Sequence, residues 1–316
     1  MVSIIFKEVD RVKILKNANQ LQEVPLENVL WIDLVSPEPE EKSMVELMMQ
    51  VRLRTMQEVA EIESSSRYYE TDDCIIANSN FLIVHNEGEY INEPVSFIIK
   101  NNTLITYRHA ELKSFLETFR KIEANHKIST GHGAFLMLFE TRIDLDADLV
   151  ESIAKDINLI SKEITLEKNL DEAMILRITK FQEMTMVLRE NIIDKQRVIS
   201  GILKSEDFPK EHYEKIRVMI KDIGSLLDHT AFSFERLEYL QNTFLGLVNI
   251  EQNKIVKIFT VATVALMPPT LIASIYGMNF DFLPETKWKF GYPFAIILMV
   301  FSSISALYYF RRKKWL

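Results

Sequence analysis

The 316-residue chain contains a single cysteine, Cys74. No intramolecular disulfide can form, and a Cys-cluster metal site is excluded. A secreted, disulfide-stapled protein is therefore not expected. Glycine and proline are scarce, at eight and nine residues, which favours long regular elements over a loop-rich fold. Bases are outnumbered by acids, 37 to 45; nucleic acid is not an expected partner, because phosphate contacts need clustered Lys and Arg. The opening MVSIIFKEVD has no basic stretch ahead of a long apolar core, so no signal peptide is expected. Missing as well are a Gly-rich phosphate loop, an HExxH pair and a nucleophile elbow. The six histidines (His85, His109, His126, His132, His212, His229) fall in no ligand spacing. Neither an enzymatic activity nor an organic cofactor is expected.

What is present divides unevenly. The overall mix, 47% hydrophobic and 26% charged, excludes a wholly disordered chain. From Ile255 to Leu316, however, there are seven Lys or Arg and two acids, which leaves the first 254 residues with a net charge of −13. Within that tail, Ile258 to Phe280 is 23 residues without a charge and Phe290 to Phe310 is 21. About 20 such residues in a helix cross a ~30 Å hydrocarbon layer. Nine residues separate the two runs, so a transmembrane hairpin is predicted. Tyr276, Phe280, Trp288, Tyr292, Tyr308, Tyr309 and Trp315 cluster at its ends, as interfacial aromatics do. Arg311, Arg312, Lys313 and Lys314 should remain cytoplasmic by the positive-inside rule. Two crossings then put the acidic N-terminal body in the cytoplasm too, with membrane lipid as a partner.

Residues 1–130 predict an α/β domain: β-branched runs recur at VSIIF (2–6), VLWIDLV (29–35), CIIANSNFLIV (74–84), VSFII (95–99) and TLITY (103–107), with helical patterns between them. Asn86–Glu89 and Asn101-Asn102 read as hairpin turns. Residues 131–254 predict a helical stalk: two long helices reversing near Lys168–Asp171, then a third starting near Glu211 and running into the first span. Residues 255–316 form the hairpin, with spans at about 255–279 and 290–310 and a basic tail. The class is an α+β membrane protein.

Two spans enclose no water-filled path, so a transporting assembly needs several copies around an axis. In the first span Asn253, Thr260, Met267 and Ser274 recur every seven residues, with Thr263 and Thr270 on the flank. Such a stripe suits either close helix packing or the lining of a supercoiled pore. Ser302, Ser303 and Ser305 are the hydroxyl residues of the second span apart from its tyrosines, which suggests an outer, lipid-facing helix. The tripeptide Gly277-Met278-Asn279 ends the first span; alone, it reads as a C-cap with Gly or Asn in the left-handed conformation.

Residues 245–316 resemble the CorA family of magnesium transporters, through FLGLVNIEQNKIVKIFTVATV (244–264), MPPTLIASIYGMNF (267–280), WKFGYPF (288–294) and YYFRRKKWL (308–316). EVAEIESSSRYYETDD (58–73) carries a more diffuse likeness. The resemblance implies a funnel-shaped homopentamer in the cell membrane, with both termini cytoplasmic, that admits hydrated Mg2+ and responds to intracellular Mg2+. It implies a selectivity filter at Gly277, Met278 and Asn279, and a path lined by Asn253, Thr260, Met267, Thr270 and Ser274. A gate would lie at Phe259 or Met267, where Phe259 replaces a common leucine and Ser274 a common glycine. Lys257 with Arg311, Arg312, Lys313 and Lys314 would form a basic collar, or simply anchor the interface. Glu61, Asp222 and Asp228 are the implied regulatory metal ligands. The alternatives are a Co2+, Ni2+ or Zn2+ carrier of the same superfamily, and a non-conducting membrane-anchored sensor.

Overall fold

The computed structural model describes residues 1–8, 11–59, 67–84, 89–124, 128–166, 171–279 and 288–313. The chain forms two compact units, Met1–Leu240 and Gln241–Leu316.

In the first unit the β-branched runs become strands of one mixed sheet. These are β1 (Val2–Glu8), β2 (Arg11–Leu15), β3 (Val29–Val35), β4 (Tyr68–Thr71), β5 (Cys74–Val84), β6 (Tyr90–Lys100) and β7 (Thr103–Arg108). Their spatial order is β2-β1-β3-β7-β6-β5-β4, with β3 and β7 parallel and the other pairs antiparallel. The central strands are buried on both faces, so their sequences are continuous apolar runs rather than alternating ones. Asn101 and Asn102 have φ of 48° and 67°. Asn tolerates this left-handed geometry, which a two-residue hairpin turn between β6 and β7 requires. The other expected turn, at Asn86–Glu89, has residues 86–88 outside the described set.

The helices are α1 (Pro39–Met49), α2 (Met56–Val59), α3 (Lys113–Ala124), α4 (Gly131–Leu166), α5 (Glu172–Leu203), α6 (Tyr213–Tyr276) and α7 (Gly291–Arg312). Pro39 starts α1 at the position where a missing N–H costs nothing, and Glu38 and Glu41 close a capping box. One face of the sheet buries Ile4, Leu21, Ile32 and Ile105. The other packs an aromatic cluster in which Phe81, Phe97, Phe135 and Phe139 meet at centroid distances of 4.5–5.8 Å. The start of α4 is pinned to the β6–β7 turn: Gly131 N donates to Asn102 O at 2.6 Å. A Cβ there would lie 2.4 Å from Leu104 N. Asp171 caps α5 by accepting from Ala173 N; the rest of the predicted reversal, 168–170, lies outside the described residues.

Among the described residues β4 pairs with Cys74–Ala77, and β5 beyond Ala77 has no strand partner on that side. Polar side chains of α4 and α5 take up its carbonyls. Arg142 Nη1 donates to Leu82 O at 3.0 Å, and Asn191 Nδ2 to Asn80 O at 2.9 Å. Arg142 also binds Asp146 through Nε at 2.9 Å. Lys195 Nζ lies 3.0 Å from Asp146 Oδ2, as an ion pair rather than a well-aimed hydrogen bond. All three side chains are buried. Burial pushes the Lys195 ammonium down to about 8, against the pull of Asp146. For Asp146, burial acts upward but is outweighed by Lys195 and Arg142, which hold the carboxyl below the usual range.

Candidate functional site

After Pro209, a 3-10 turn over Lys210–His212 leads into the third stalk helix at Tyr213, two residues from Glu211. From there α6 runs 64 residues without interruption, ~96 Å at ~1.5 Å per residue. It begins in the first unit and ends in the second. Both α6 and α7 are long and apolar enough to cross a membrane.

Within the second unit the two helices meet along a narrow face. Val261, Ala265 and Ala295 are buried, and Pro268, Pro269, Ile272 and Tyr276 are half-buried, a spacing of three and four residues that marks one side of α6. Pro269 has no N–H, so the carbonyl of Ala265, four residues back, loses its helical donor. Ser303 Oγ of α7 donates to that carbonyl at 3.0 Å. In hydrocarbon an unsatisfied carbonyl is costly, so this hydroxyl completes the prolyl step of the helix. Ser303 thus does more than sit on an outer helix.

The opposite side of α6 is open. Thr263, Leu266, Met267, Thr270, Leu271 and Ser274 line a groove of about 550 Å³. Three of the five pore-lining candidates, Met267, Thr270 and Ser274, therefore share one surface. Asn253 lies exposed further along the helix, and Thr260 is half-buried. Phe259 and Met267, the gate candidates, are 69% and 68% exposed, large apolar groups that the single chain leaves uncovered. The threonine hydroxyls are turned back into the helix: Thr260 donates to Val256 O, Thr263 to Phe259 O and Thr270 to Leu266 O, at 2.8–2.9 Å. With its proton so used, each Oγ keeps lone pairs that face outward as acceptors. Such oxygens match the outward-pointing protons of a hydrated cation.

At the end of α6, Gly277 N donates to Ala273 O at 2.9 Å and Met278 N to Ile275 O at 3.3 Å. Neither Gly277 nor Asn279 adopts the left-handed conformation. This corrects the expected C-cap: the last turn tightens to an i→i−3 bond instead, which satisfies the carbonyl without a left-handed residue. Met278 and Asn279 are exposed at this end. Lys257 is exposed 20 residues before Gly277, and Arg311 lies 20 residues after Gly291; Arg312 and Lys313 follow it, also exposed. Both are ~30 Å along their helices from the loop, so they share one level of the hairpin. Lys314 is outside the described residues.

Of the regulatory candidates, Glu61 lies outside the described residues, and Asp222 and Asp228 are exposed on α6. Among the described residues no three His, Cys, Asp or Glu side chains converge as a metal site. The structure does place Asp222 beside an acidic ladder on α4. Asp144 is pushed up by burial and by the charges of Glu140, Asp148 and Asp222, against Lys121. The i, i+4 spacing of Glu140, Asp144 and Asp148 is the signal for that ladder.

A sequence profile of the family described as "CorA-like Mg2+ transporter protein" matches residues 27–312. The chain is 38% identical over 294 residues to the magnesium transport protein CorA of Wolinella succinogenes, covering 92% of each chain. It is 36% identical over 296 residues to the protein of the same name from Escherichia coli K12, covering 92% of this chain and 93% of that one. Its fold superposes on the complete CorA magnesium transporter from Methanocaldococcus jannaschii with a TM-score of 0.84 at 20% identity, over 100% and 99% of the two chains. The chain belongs to the CorA-like Mg2+ transporter family.

Proposed function

We propose that this protein admits Mg2+ across the cell membrane through a homopentameric pore lined by α6, with both termini in the cytoplasm. The observation that carries this reading is the open side of α6. A helix that crosses a membrane leaves Met267, Thr270 and Ser274 in one groove and ends at an exposed Asn279. The magnesium transport proteins it resembles over 92% of its length support it further.

Mg2+ is the cargo. It is small, sheds water reluctantly and favours oxygen ligands. In this reading a ring of Asn279 amide oxygens, with Gly277 backbone oxygens and Met278 alongside, accepts hydrogen bonds from the incoming ion's water shell. Neutral amides hold that shell weakly enough to release it, as conduction requires. Further in, the Oγ acceptors of Thr260 and Thr270, with Ser274, continue the polar lining to Asn253. Phe259 and Met267 form the apolar gate. Lys257, Arg311, Arg312, Lys313 and Lys314 make the cytoplasmic basic collar. The body, at net −13, senses internal Mg2+: Glu61, Asp222 and Asp228 repel like charges across subunits until a divalent ion bridges them. Residues 1–130, 131–254 and 255–316 then serve as sensing domain, stalk and pore.

The test is Asn279→Ala in the full chain reconstituted in liposomes, with uptake of Mg2+, Co2+, Ni2+ and Zn2+ compared. Loss of Mg2+ uptake at low external concentration supports the filter. Normal Mg2+ uptake by the variant refutes it, and preference of the parent protein for a transition metal replaces the cargo.

A further inference from the structure

We infer that the hairpin of α6 and α7 holds the phosphate of an anionic phospholipid between Lys257 and Lys313, at the end away from its connecting loop. The inference rests on the reading that these two helices span a membrane with this end at the cytoplasmic face.

The seam between the helices is closed by small or apolar groups, Val261, Ala265 and Ala295, and the bond from Ser303 to Ala265 fixes its register. Eight residues beyond that bond stand Lys257 on α6 and Arg311 on α7, ~12 Å along each axis. The seam is no longer closed there. Residues 251–259 of α6 and 311–313 of α7 are all exposed, whereas Ala306 and Phe310 are half-buried. Lys257 continues the row of Val261 and Ala265 by one turn, and Lys313 continues that of Ala306 and Phe310. The two lysines therefore border the mouth of the seam from opposite helices. Packed helices lie ~8–10 Å apart, within joint reach of two such long side chains.

Like charges so placed repel unless an anion lies between them. Glu251, the nearest acid in the sequence of α6, already pairs with Lys254 at 3.5 Å. Lys257, Arg311, Arg312 and Lys313 have no ion-pair partner among the described residues. The C-terminal dipole of α7 offsets only about half a charge. The surroundings identify the missing anion as a lipid headgroup. Tyr308 and Tyr309 are exposed just before the cations, as interfacial aromatics are. Phe301, Ile304 and Leu307, deeper along α7, are exposed apolar groups that offer a surface to acyl chains. A free phosphate would use the cations alone; a phospholipid uses both.

The test places the full chain in phosphatidylcholine liposomes with spin-labelled phosphatidylglycerol or spin-labelled phosphatidylcholine as the probe. Electron spin resonance reads the motionally restricted fraction of each. The parent is expected to prefer the anionic probe. Lys257→Gln with Lys313→Gln should lower that preference roughly fivefold, the effect of about one cation or more near an anionic headgroup. Lys289→Gln, exposed at the other end of the hairpin, should keep it, as should the parent in excess inorganic phosphate at constant ionic strength. Equal restriction of both probes by the parent overturns the inference without any variant. Preference retained by the double variant, lost equally in Lys289→Gln, or abolished by inorganic phosphate overturns it too. Mg2+ uptake by the same liposomes separates the two readings. A parent that prefers the anionic probe but moves no Mg2+ defeats the transport reading alone, and one that moves Mg2+ without the preference defeats the lipid site alone.

Discussion

The bond from Ser303 to the prolyl step of α6 yields a prediction in numbers. Ser303→Ala removes the donor at 3.0 Å from Ala265 O and leaves that carbonyl, on a residue 8% exposed, without a partner. A net hydrogen bond is worth ~0.5–1.5 kcal/mol, and interhelical bonds in membrane proteins average ~0.6, with a maximum of ~1.7 kcal/mol. Buried placement puts this one near ~1 kcal/mol, or about fivefold in the unfolding equilibrium. Pro269→Ala restores an amide that can donate to the same carbonyl. In that background the loss of Ser303 should cost close to nothing, so the double-mutant cycle should return a coupling of ~1 kcal/mol. The assay is reversible unfolding of the full chain in mixed micelles by titration with a denaturing detergent. Equal costs for Ser303→Ala in the two backgrounds would refute the idea that Ser303 stands in for the missing prolyl donor.

Two further outcomes follow from the first unit. Lys195 is held at about 8 by burial against an ordinary value of 10.5. Between those values the unfolded chain carries the extra proton, so stability should climb as pH rises through that window, by on the order of 3 kcal/mol in all. Chemical denaturation across pH 8 to 10.5 should show this climb in the parent and not in Lys195→Met, and parallel curves would exclude it. Gly131→Ala would force a Cβ to within 2.4–2.6 Å of backbone atoms at Leu104, Asn102 and Thr103. These cannot swing away as a side-chain tip can, so a loss of ~1–3 kcal/mol is expected, measured as a shift in the denaturation midpoint; an unchanged midpoint would contradict it.

The regular elements were legible where the local signal was strong. VSIIF, VLWIDLV, CIIANSNFLIV, VSFII and TLITY all lie within strands, and the proline-free stretches became the long helices. β2 (RVKIL) escaped because Arg11 and Lys13 interrupt its apolar positions, and β4 (YYET) because only four residues pair. Sheet order was out of reach: β3 and β7 lie parallel though some 70 residues apart in sequence, a relation set by tertiary packing. The buried pair between Asp33 and Arg108, 2.8 Å apart, was not anticipated; the signal that could have found it is the single acid in VLWIDLV, since an unpaired charge rarely survives in a core.

The membrane hairpin could be read from charge-free length alone; the open groove of α6 holds Met267 and Ser274 of the seven-residue series together with Thr263 and Thr270 from its flank, but not Asn253 or Thr260. Ser303 was recognisable only as a hydroxyl. Its partner depends on Pro269 freeing a carbonyl at i−4, which a sequence displays without saying which helix answers it. The left-handed cap expected at Gly277 or Asn279 did not form, because the final turn closes with a shorter bond. The acidic ladder Glu140, Asp144 and Asp148 shows i, i+4 spacing, but its approach to Asp222 depends on how α4 and α6 pack.

Mg2+ uptake by the purified full chain in liposomes, with a Mg2+-sensitive dye inside and an inward gradient, tests the central claim most directly. The account predicts entry that depends on the protein, saturates with external Mg2+ and slows as internal Mg2+ accumulates. A correctly assembled pentamer that leaves the dye signal at the level of protein-free liposomes would contradict it.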